Sequence, residues 1–264
     1  MVKINDVINI MKKIAPENLK ESYDNVGFMI GDRNNEVTKI LVALDCTLQV
    51  IDEAKTIGAE LILTHHPLLF KRPKSITTDT LQGKKIMSLI KNDIALYSSH
   101  TNWDSVKDGL NDKFVNFLGF KESKIIEKNP LNPTAGIGRI VELKEDVAIE
   151  EIINIIKDKF NLKNLRFSGE VNKRVRTIAL VNGSGEDYLQ PAYELGAELL
   201  ITGDTTYHFV SDYEEMGFSV IDIGHFNSEW PLMMELSKSI KEILEPMGVD
   251  VVLSQEVKDP YKFI

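Results

Sequence analysis

Ile57-Gly58-Ala59-Glu60-Leu61-Ile62-Leu63-Thr64 recurs in diverged form as Leu195-Gly196-Ala197-Glu198-Leu199-Leu200-Ile201-Thr202. In each copy a glycine ends a predicted helix, and a short apolar run of strand length follows it. A second pair comes downstream, where His100-Thr101-Asn102-Trp103-Asp104 and His225-Phe226-Asn227-Ser228-Glu229 share the pattern His-x-Asn-x-carboxylate. We therefore predict two related α/β lobes, produced by internal duplication, that face a shared metal-binding cleft.

The composition is that of an ordinary globular protein. The 264 residues are 43% hydrophobic and 27% charged, which suits either one large domain or two small ones. The net charge of −9 argues against broad nucleic-acid binding, because such binding relies on basic surface. The single cysteine, Cys46, excludes an internal disulfide and is expected to be a small buried hydrophobe.

No targeting or membrane segment is evident in the sequence. Lys3, Asp6 and Lys12 place charges in the N-terminal stretch, which is unlike a signal peptide. No apolar run approaches the ~20 residues that a membrane-spanning helix needs. We expect a soluble cytoplasmic protein.

Short apolar runs alternate with amphipathic stretches along the chain, which is typical of α/β architecture. In the first half the predicted strands are Ile40 to Leu44, Glu60 to Thr64 and Ile94 to Ser98, and the predicted helices are Leu48 to Thr56, Leu81 to Lys91 and Asp104 or Ser105 to Phe117. A polar segment from about Phe120 to Thr134 contains two prolines and favours a boundary there. We predict a first lobe over residues 1–128 and a second over residues 129–264.

Histidines and acids follow the predicted strands at their carboxyl ends, where ligands bind in open α/β sheets. The set comprises His65, His66, Asp104, His225 and Glu229. Five ligands exceed the three protein ligands of a typical mononuclear catalytic zinc site and suit two divalent ions bridged by a carboxylate, which we assign to Glu229. Adjacent strand residues point to opposite sides, so the vicinal His65-His66 pair also suits two ions. These donors suit iron, manganese, zinc, cobalt or nickel without choosing among them.

Each of these residues also has a structural interpretation. A histidine at a strand end commonly caps or packs, and Asp104 alone is typical of a helix N-cap. Asn102 and Asn227 are expected to hydrogen-bond their own turns, and Trp103 and Trp230 are expected to be packing residues. The repetition of His, Asn and acid together favours the metal site, because caps alone would not reproduce all three.

His208 lies four residues after Asp204 and close to the same strand ends. On a helix the two side chains would share a face. Asp204 is explained equally well as a structural cap, and His208 as a hydrogen-bonded helix residue, a substrate contact or an acid/base group. We take His208 as the candidate catalytic residue, a proton donor for the leaving group.

These motifs resemble the GTP cyclohydrolase 1 type 2 homologue family, also called the NIF-three-like proteins, in its short form without an inserted domain. The matching stretches are Tyr23-Asp24-Asn25-Val26-Gly27-Phe28, Ile40-Leu41-Val42-Ala43-Leu44-Asp45, His65-His66-Pro67-Leu68-Leu69-Phe70, His100-Thr101-Asn102-Trp103-Asp104, Thr202-Gly203-Asp204 and Gly224-His225-Phe226-Asn227-Ser228-Glu229. The resemblance implies a dinuclear metal centre held by the same five ligands and a toroidal homohexamer. Asp204 stands where the family pattern has Glu, and Trp103 where it has Leu, which affects the expected substrate shape.

The resemblance also implies a metal-dependent hydrolase, in which divalent ions activate water for attack on an electrophilic carbon or phosphorus. GTP ring opening is one such reaction, although the sequence contains no Walker motif. Our first hypothesis is therefore a hydrolase that acts on a nucleotide or a related small metabolite. The alternative is a non-enzymatic metal-binding or scaffold protein whose ring holds or delivers metal.

Overall fold

The computed structural model describes residues 1–262, which form helices and two separate sheets. The α-helices are α1 (Ile4–Ile14), α2 (Leu48–Ile57), α3 (Leu81–Lys91), α4 (Thr101–Ser105), α5 (Leu110–Phe117), α6 (Ile149–Phe160), α7 (Leu189–Glu194), α8 (Tyr207–Glu215) and α9 (His225–Leu244). The strands are β1 (Gly27–Ile30), β2 (Lys39–Ala43), β3 (Leu61–Thr64), β4 (Ala95–Ser98), β5 (Lys124–Asn129), β6 (Asn132–Ala148), β7 (Arg166–Ser168), β8 (Arg174–Ser184), β9 (Leu199–Gly203), β10 (Ser219–Asp222) and β11 (Asp250–Leu253). The predicted α/β class with two lobes is confirmed.

Contacts divide the chain into two compact units. The first unit comprises Met1–Trp103 and Met233–Lys258, and the second comprises Asp104–Leu232 and the residues from Asp259 onward. Strand β11 belongs to the first unit because it pairs in parallel with β2, although it follows the main segment of the second unit, Asp104–Leu232, in the chain. The division into residues 1–128 and 129–264 was drawn from chain order and stays a prediction.

The first sheet has the strand order β1-β4-β3-β2-β11. Its last four strands run parallel, and β1 is antiparallel to β4 at the edge. The parallel strands are almost uniformly apolar because both faces are covered, and Leu41, Ile62 and Leu96 are completely buried. The carboxyl ends of β2, β3 and β4 meet at one edge of this sheet. Gly27 pairs with Ser98, so the turn that precedes β1 lies at that edge too.

The second sheet has the strand order β5-β6-β8-β9-β10-β7. Strands β8, β9 and β10 are parallel, and the remaining pairings are antiparallel. The ladder between β8 and β9 shifts register between Leu180 and Ser184. Such an irregularity re-aims side chains at the end of a strand. It places Asn182 and Gly183 at the carboxyl edge of the parallel strands.

The repeated glutamates Glu60 and Glu198 have equivalent partners in the two units. Carboxylate oxygens of Glu60 accept hydrogen bonds from the backbone N–H groups of Thr38 and Lys39, which lie 22 and 21 positions earlier. Glu198 accepts from two backbone N–H groups that also lie 22 and 21 positions earlier, where β8 begins. The same acid at the same spacing supports the predicted internal duplication.

Two helices differ from the prediction in their bounds. The helix expected from Asp104 to Phe117 is divided into α4 and α5, because Asp108 adopts a positive φ of 63° that interrupts a right-handed helix. Asp104 therefore lies inside α4 and is not an N-cap. Helix α9 begins at His225 rather than near Ser228, so its first turn carries the histidine as well as the acid.

The polar segment 120–134 also contains regular structure. Residues 124–129 form β5, which pairs with β6 in a hairpin. Asn129 Oδ1 accepts from the Leu131 N–H at 3.0 Å within the connecting turn, a local bond that asparagine commonly makes. The polar composition that favours a boundary therefore belongs to a hairpin at the edge of the second sheet.

Helix α9 is 20 residues long and includes Pro231. Its surface carries an ion pair between Glu235 and Lys238, whose Oε1 and Nζ atoms lie 2.7 Å apart. Within residues 1–262 no helix has the length and apolar character that crossing a membrane requires.

Candidate metal centre

Three histidines lie at the carboxyl ends of β3 and β4 in the first unit. His65 and His66 directly follow β3, and His100 follows β4 by two residues. One ligand atom of each lies within 4.8 Å of those of the other two. The rings of His65 and His100 meet edge to face at 5.0 Å between centroids, and those of His66 and His100 at 5.5 Å. This cluster can hold a divalent ion through imidazole nitrogens.

Each of the three histidines has an oxygen atom beside its Nδ1 atom. The contacts are His65 to the backbone carbonyl of Ser99 at 3.0 Å, His66 to Asp45 Oδ1 at 2.9 Å and His100 to Asp24 Oδ1 at 3.0 Å. The strand ends supply all three oxygens, because Ser99 follows β4, Asp45 follows β2 and Asp24 precedes β1. The orientation of the cluster is therefore set by the first sheet itself.

Asp24 is a buried carboxylate that stays ionised. In addition to His100, it accepts hydrogen bonds from the Thr101 N–H at 3.1 Å, the Thr101 hydroxyl at 2.5 Å and the Asn25 N–H at 2.7 Å. Burial alone raises the pKa of Asp24, but the hydrogen bond and charge of His100 and the donors of Thr101 lower it from 3.8 to about 2. His100 consequently lies beside a permanent negative charge.

In the second unit, Asn182 joins two acidic side chains. Its Nδ2 atom donates to Asp104 Oδ1 at 2.8 Å and lies 3.5 Å from Glu229 Oε1. All three residues are buried. Two buried carboxylates that share one amide repel each other, and a cation nearby offsets that repulsion. The chemistry of this donor set therefore fits a divalent metal ion.

His225 and Glu229 occupy successive turns of α9. The Nε2 atom of His225 lies 3.0 Å from Glu229 Oε2, and its Nδ1 atom lies 2.8 Å from Asp204 Oδ2. Asp204 follows β9 with a positive φ of 54° and lies outside α8. The expectation that Asp204 and His208 share a helix face is therefore wrong, because the left-handed backbone at Asp204 precedes the helix.

Gly183 allows the end of β8 to approach α9 closely. Its φ is +65°, and a Cβ atom at this position would lie 2.3 Å from Glu229 Oε1. The Gly183 N–H donates to Ser228 Oγ at 2.9 Å, and that hydroxyl donates to the His225 carbonyl at 2.8 Å. A residue with a side chain at 183 would displace the carboxylate of Glu229.

His208 lies in α8 as an exposed residue. Its ring packs edge to face against Tyr207, with 5.3 Å between centroids. Exposure leaves its imidazole accessible to a solute. Its catalytic role stays a prediction.

The asparagines, tryptophans and cysteine for which the sequence predicts structural roles have those roles in the structure. Asn102 Oδ1 accepts from the His100 N–H at 2.9 Å, and Asn227 Nδ2 donates to the carbonyl of Ile223 at 2.9 Å. The indoles of Trp103 and Trp230 are buried. Cys46 is also buried, and burial raises the pKa of its thiol to about 12, which makes it unreactive.

Within each unit the structure brings predicted ligands close together. His65 and His66 lie together in the first unit. In the second unit Asn182 links Asp104 and Glu229, and His225 lies beside Glu229. Sequence reasoning missed Asn182 and did not include His100 among the ligands. The signal for Asn182 is an Asn-Gly pair directly after the apolar run of β8, and the signal for His100 is the first position of the repeated His-x-Asn-x-carboxylate pattern.

Comparison with known proteins assigns the chain to a family. The model of the family Duf34/NIF3 (NGG1p interacting factor 3) matches residues 2–260. A Clostridium perfringens protein named GTP cyclohydrolase 1 type 2 homolog is 60% identical over 263 residues, covering 100% of both chains. A protein of the same name from Clostridium acetobutylicum is 49% identical and covers 99% of each chain. The crystal structure of a hypothetical protein from Staphylococcus aureus is similar, with a TM-score of 0.90, 31% identity and coverage of 99% of each chain. The resemblance seen in the sequence motifs is thus confirmed, and the chain belongs to the Duf34/NIF3 (NGG1p interacting factor 3) family.

Proposed function

We propose that this protein is a metal-dependent hydrolase that acts on a nucleotide or a related small metabolite. The observation that carries the proposal is the buried group in which Asn182 joins Asp104 and Glu229 while His225 lies one turn away. The histidine cluster at the ends of β3 and β4 supports it as a second group of metal-ligating side chains. The name of the Clostridium relatives, GTP cyclohydrolase 1 type 2 homolog, supports a nucleotide as the substrate class.

The five side chains of His65, His66, Asp104, His225 and Glu229 bind two divalent ions in this proposal. Glu229 is the bridging ligand. This assignment is supported by its two oxygens, which have different neighbours: Oε1 lies near the Asn182 amide, and Oε2 lies 3.0 Å from His225 Nε2. Divalent ions in such a site lower the pKa of bound water and stabilise developing negative charge.

The remaining residues of the proposed site orient the metal ligands or supply a proton to the leaving group. Asn182 and Asp204 hold the Asp104 and His225 side chains by hydrogen bonds of 2.8 Å each, which preorganises the ligands. His208 donates a proton to the leaving group, an effect typically worth ~10²–10⁴ in rate. Its support is its accessible position in α8, the helix that follows the turn at Asp204.

The proposed assembly is a toroidal homohexamer in the cytoplasm. The hexamer rests on the family resemblance, since the sequence carries no separate oligomerisation motif. Light scattering tests it directly: the chain mass is 29.8 kDa, and a particle of that mass at micromolar concentration would exclude the hexamer.

The decisive experiment measures metal content and turnover in the same preparation. Protein loaded with defined metals should hold close to two equivalents and should turn over a member of a nucleotide panel or of a metabolite extract. Turnover should stop with a chelator and return with metal. Two bound equivalents without turnover of any compound would favour the alternative, a metal-binding or scaffold protein.

A substitution at Glu229 tests its proposed role as the bridging ligand. Glu229→Gln should weaken the binding of both ions, because one carboxylate supplies charge to each. Glu235→Gln is the matched control, since Glu235 lies on the same helix and pairs only with Lys238 among the contacts found for it. Undiminished content of both ions in Glu229→Gln would exclude the bridge.

A further inference from the structure

A cavity of about 320 Å³ in the second unit is lined by helix α8, strands β7 and β10 and the turn at Thr205 and Thr206. The strands contribute alternate residues, which lie on one side of a sheet, and the helix contributes residues at helical spacing. No residue of α8 is buried, as expected for a helix with a cavity beneath it. The volume is in the range of small-molecule binding pockets.

Asp222 is a buried carboxylate of this cavity whose two oxygens already accept hydrogen bonds. Its Oδ2 atom accepts from the N–H of Thr205 at 2.9 Å, from the hydroxyl of Thr205 at 2.7 Å and from the guanidinium of Arg166. Its Oδ1 atom accepts from the Gly224 N–H at 2.8 Å. Asp222 therefore holds the surroundings of the cavity in place and balances the charge of Arg166.

Arg166 and Glu214 are the charged groups that remain available to a ligand. The Nη2 atom of Arg166 donates to Asp222 and to the Thr205 carbonyl, the latter at 3.0 Å. These contacts hold the guanidinium through one of its three nitrogens, and the side chain is 62% exposed. Glu214 is exposed, and its Oε2 atom accepts from the Ser168 hydroxyl at 2.6 Å. Each group is thus held by one atom and has other atoms to offer.

The two groups need opposite hydrogen-bonding atoms in a ligand. A guanidinium only donates and a carboxylate only accepts, and the two acids Asp222 and Glu214 make the cavity unsuitable for a bare anion. A lactam, the carbonyl next to a ring N–H in hypoxanthine, guanine and uracil, supplies an acceptor beside a donor. In adenine and cytosine an amino group replaces the carbonyl and an acceptor nitrogen replaces the N–H. A base of that kind, placed in the same way, would meet the wrong partner at each position.

The spacing of the two groups suits such a base. Arg166 and Ser168 are two residues apart on β7, which is about 7 Å at the rise of a strand, and Ser168 holds Glu214. A lactam with a hydrogen bond at each end spans roughly 8 Å, since each hydrogen bond adds about 2.9 Å. Val210 and Val220 provide apolar contact for the flat face of a base.

Two short connections join this cavity to the proposed metal ligand His225. Thr205 follows Asp204, whose Oδ2 atom lies 2.8 Å from His225 Nδ1. Gly224, which donates to Asp222, directly precedes His225. A molecule bound in the cavity would therefore lie beside the proposed metal group of the second unit.

We propose that this cavity is the subsite for the base of the substrate and that it selects bases carrying a lactam. Arg166 donates to the carbonyl oxygen of the base, and Glu214 accepts from its ring N–H. The inference rests on the proposed function, because it names the kind of nucleotide on which the enzyme acts. It assigns specificity to two residues that bind no metal.

Binding of nucleosides to the metal-loaded full-length protein tests the subsite without turnover. Inosine and adenosine form one matched pair, and uridine and cytidine form the other, because the members of each pair differ at the lactam edge. Calorimetry should show the lactam member binding at least ~10-fold more tightly in at least one pair, given the strength of hydrogen bonds to charged groups. The pair that discriminates tells whether the base is a purine or a pyrimidine. Equal affinities within both pairs, tighter binding of the amino members, or no binding of any of the four would overturn the proposal.

Glu214→Gln assigns the preference to one residue. A glutamine amide both donates and accepts, so the variant should bind the two members of the discriminating pair within ~3-fold of each other. It should fold, because Glu214 is exposed. Glu215→Gln is the matched control, since Glu215 is the next residue of α8, is also exposed and lies outside the cavity lining. An unchanged preference in Glu214→Gln would overturn the role of that carboxylate.

Arg166→Lys tests the other group. Lysine keeps a positive charge for Asp222 but lacks the planar set of donors, so affinity for the lactam nucleoside should fall by roughly 10-fold or more. The metal content of this variant should stay at the wild-type level, because Arg166 is not a proposed ligand. Wild-type affinity for the nucleoside in Arg166→Lys would overturn the role of the guanidinium.

Failure of this inference is distinguishable from failure of the proposed function. A protein that turns over a nucleotide but binds both members of each pair equally would refute the subsite alone. A protein that prefers the lactam nucleoside but turns over no compound would refute the hydrolase and support the subsite as a binding site.

Discussion

Asn182 and Asp104 lie 78 positions apart in the chain, yet the amide of Asn182 donates to Asp104 Oδ1 at 2.8 Å. The same amide lies 3.5 Å from Glu229 Oε1. The register shift at the end of β8 places Asn182 there. Asn182 is thus a positioning residue for two of the proposed metal ligands.

Replacing Asn182 with alanine should weaken metal binding by roughly 10–100-fold, the usual effect of losing a group that orients ligands. The physical reason is that two buried carboxylates lose the donor that holds them in place. Titration against a chelating dye measures the affinity. Asn132→Ala is the control, because Asn132 accepts from Thr134 in an exposed turn. An Asn182→Ala protein with wild-type affinity would show that the ligands orient themselves.

Gly183→Ala should weaken metal binding, whereas the same substitution at Gly196 should not. Gly183 and Gly196 both have a positive φ, of 65° and 82°, so alanine strains the backbone at each by about 1 kcal/mol. At 183 the new Cβ would also lie 2.3 Å from Glu229 Oε1, whereas at 196 nothing lies within 4 Å. We expect Gly196→Ala to lower the unfolding free energy by about 1 kcal/mol and to keep its metal, and Gly183→Ala to lose metal affinity as well. Denaturant unfolding and metal titration measure both effects. Equal behaviour of the two variants would argue against close packing of Gly183 on Glu229.

The stability of the metal-free protein should depend on Asp24 at acidic pH. Its pKa is lowered from 3.8 to about 2 in the folded state. The contribution of the ionised carboxylate is therefore fully present above the unfolded pKa near 4 and is lost as the pH falls from about 4 to about 2. Linkage puts that contribution at about 2 kcal/mol.

Comparing wild type with Asp24→Asn isolates the contribution of the ionised Asp24 carboxylate to stability, because the other carboxylates titrate in both proteins. The difference in unfolding free energy should be constant above pH 5 and should shrink towards pH 2. A difference that does not change with pH would mean that the stabilisation comes from hydrogen bonds that asparagine also makes.

The variant His208→Ala should show whether His208 acts in catalysis or has only a structural role. His208 is exposed, so its removal should change the unfolding free energy by less than ~0.5 kcal/mol. The variant should keep both ions and its assembly, and its turnover of an identified substrate should fall by ~10²–10⁴. Full turnover, or a loss of metal, would assign His208 a structural role.

Local sequence patterns predict most of the helices and strands. Helix α3 has the predicted bounds of Leu81 to Lys91, and α2 ends where Gly58 adopts a left-handed φ of 69°. Glycine is favoured there because it lacks a Cβ atom. The apolar runs of β2, β3 and β4 are detectable for the same local reason: a strand covered on both faces is apolar at every position.

The repeated motifs also identified side chains that gather at strand ends. His65 and His66 follow β3, and His225 and Glu229 begin α9, as the carboxyl-end rule for parallel sheets leads one to expect. The split of the helix after Asp104 was not detectable, because it depends on a single left-handed residue, Asp108.

The sequence by itself therefore determined the class of fold, the duplication and the candidate ligands, because these depend on residues close together in the chain and on the fixed period of helices and strands. Only the tertiary structure decided which residues orient those ligands. Asp24 meets Thr101 across 77 positions, and Asn182 meets Asp104 across 78. Such pairings depend on the register of strands and on backbone irregularities such as the one in β8, which position side chains by packing rather than by local preference.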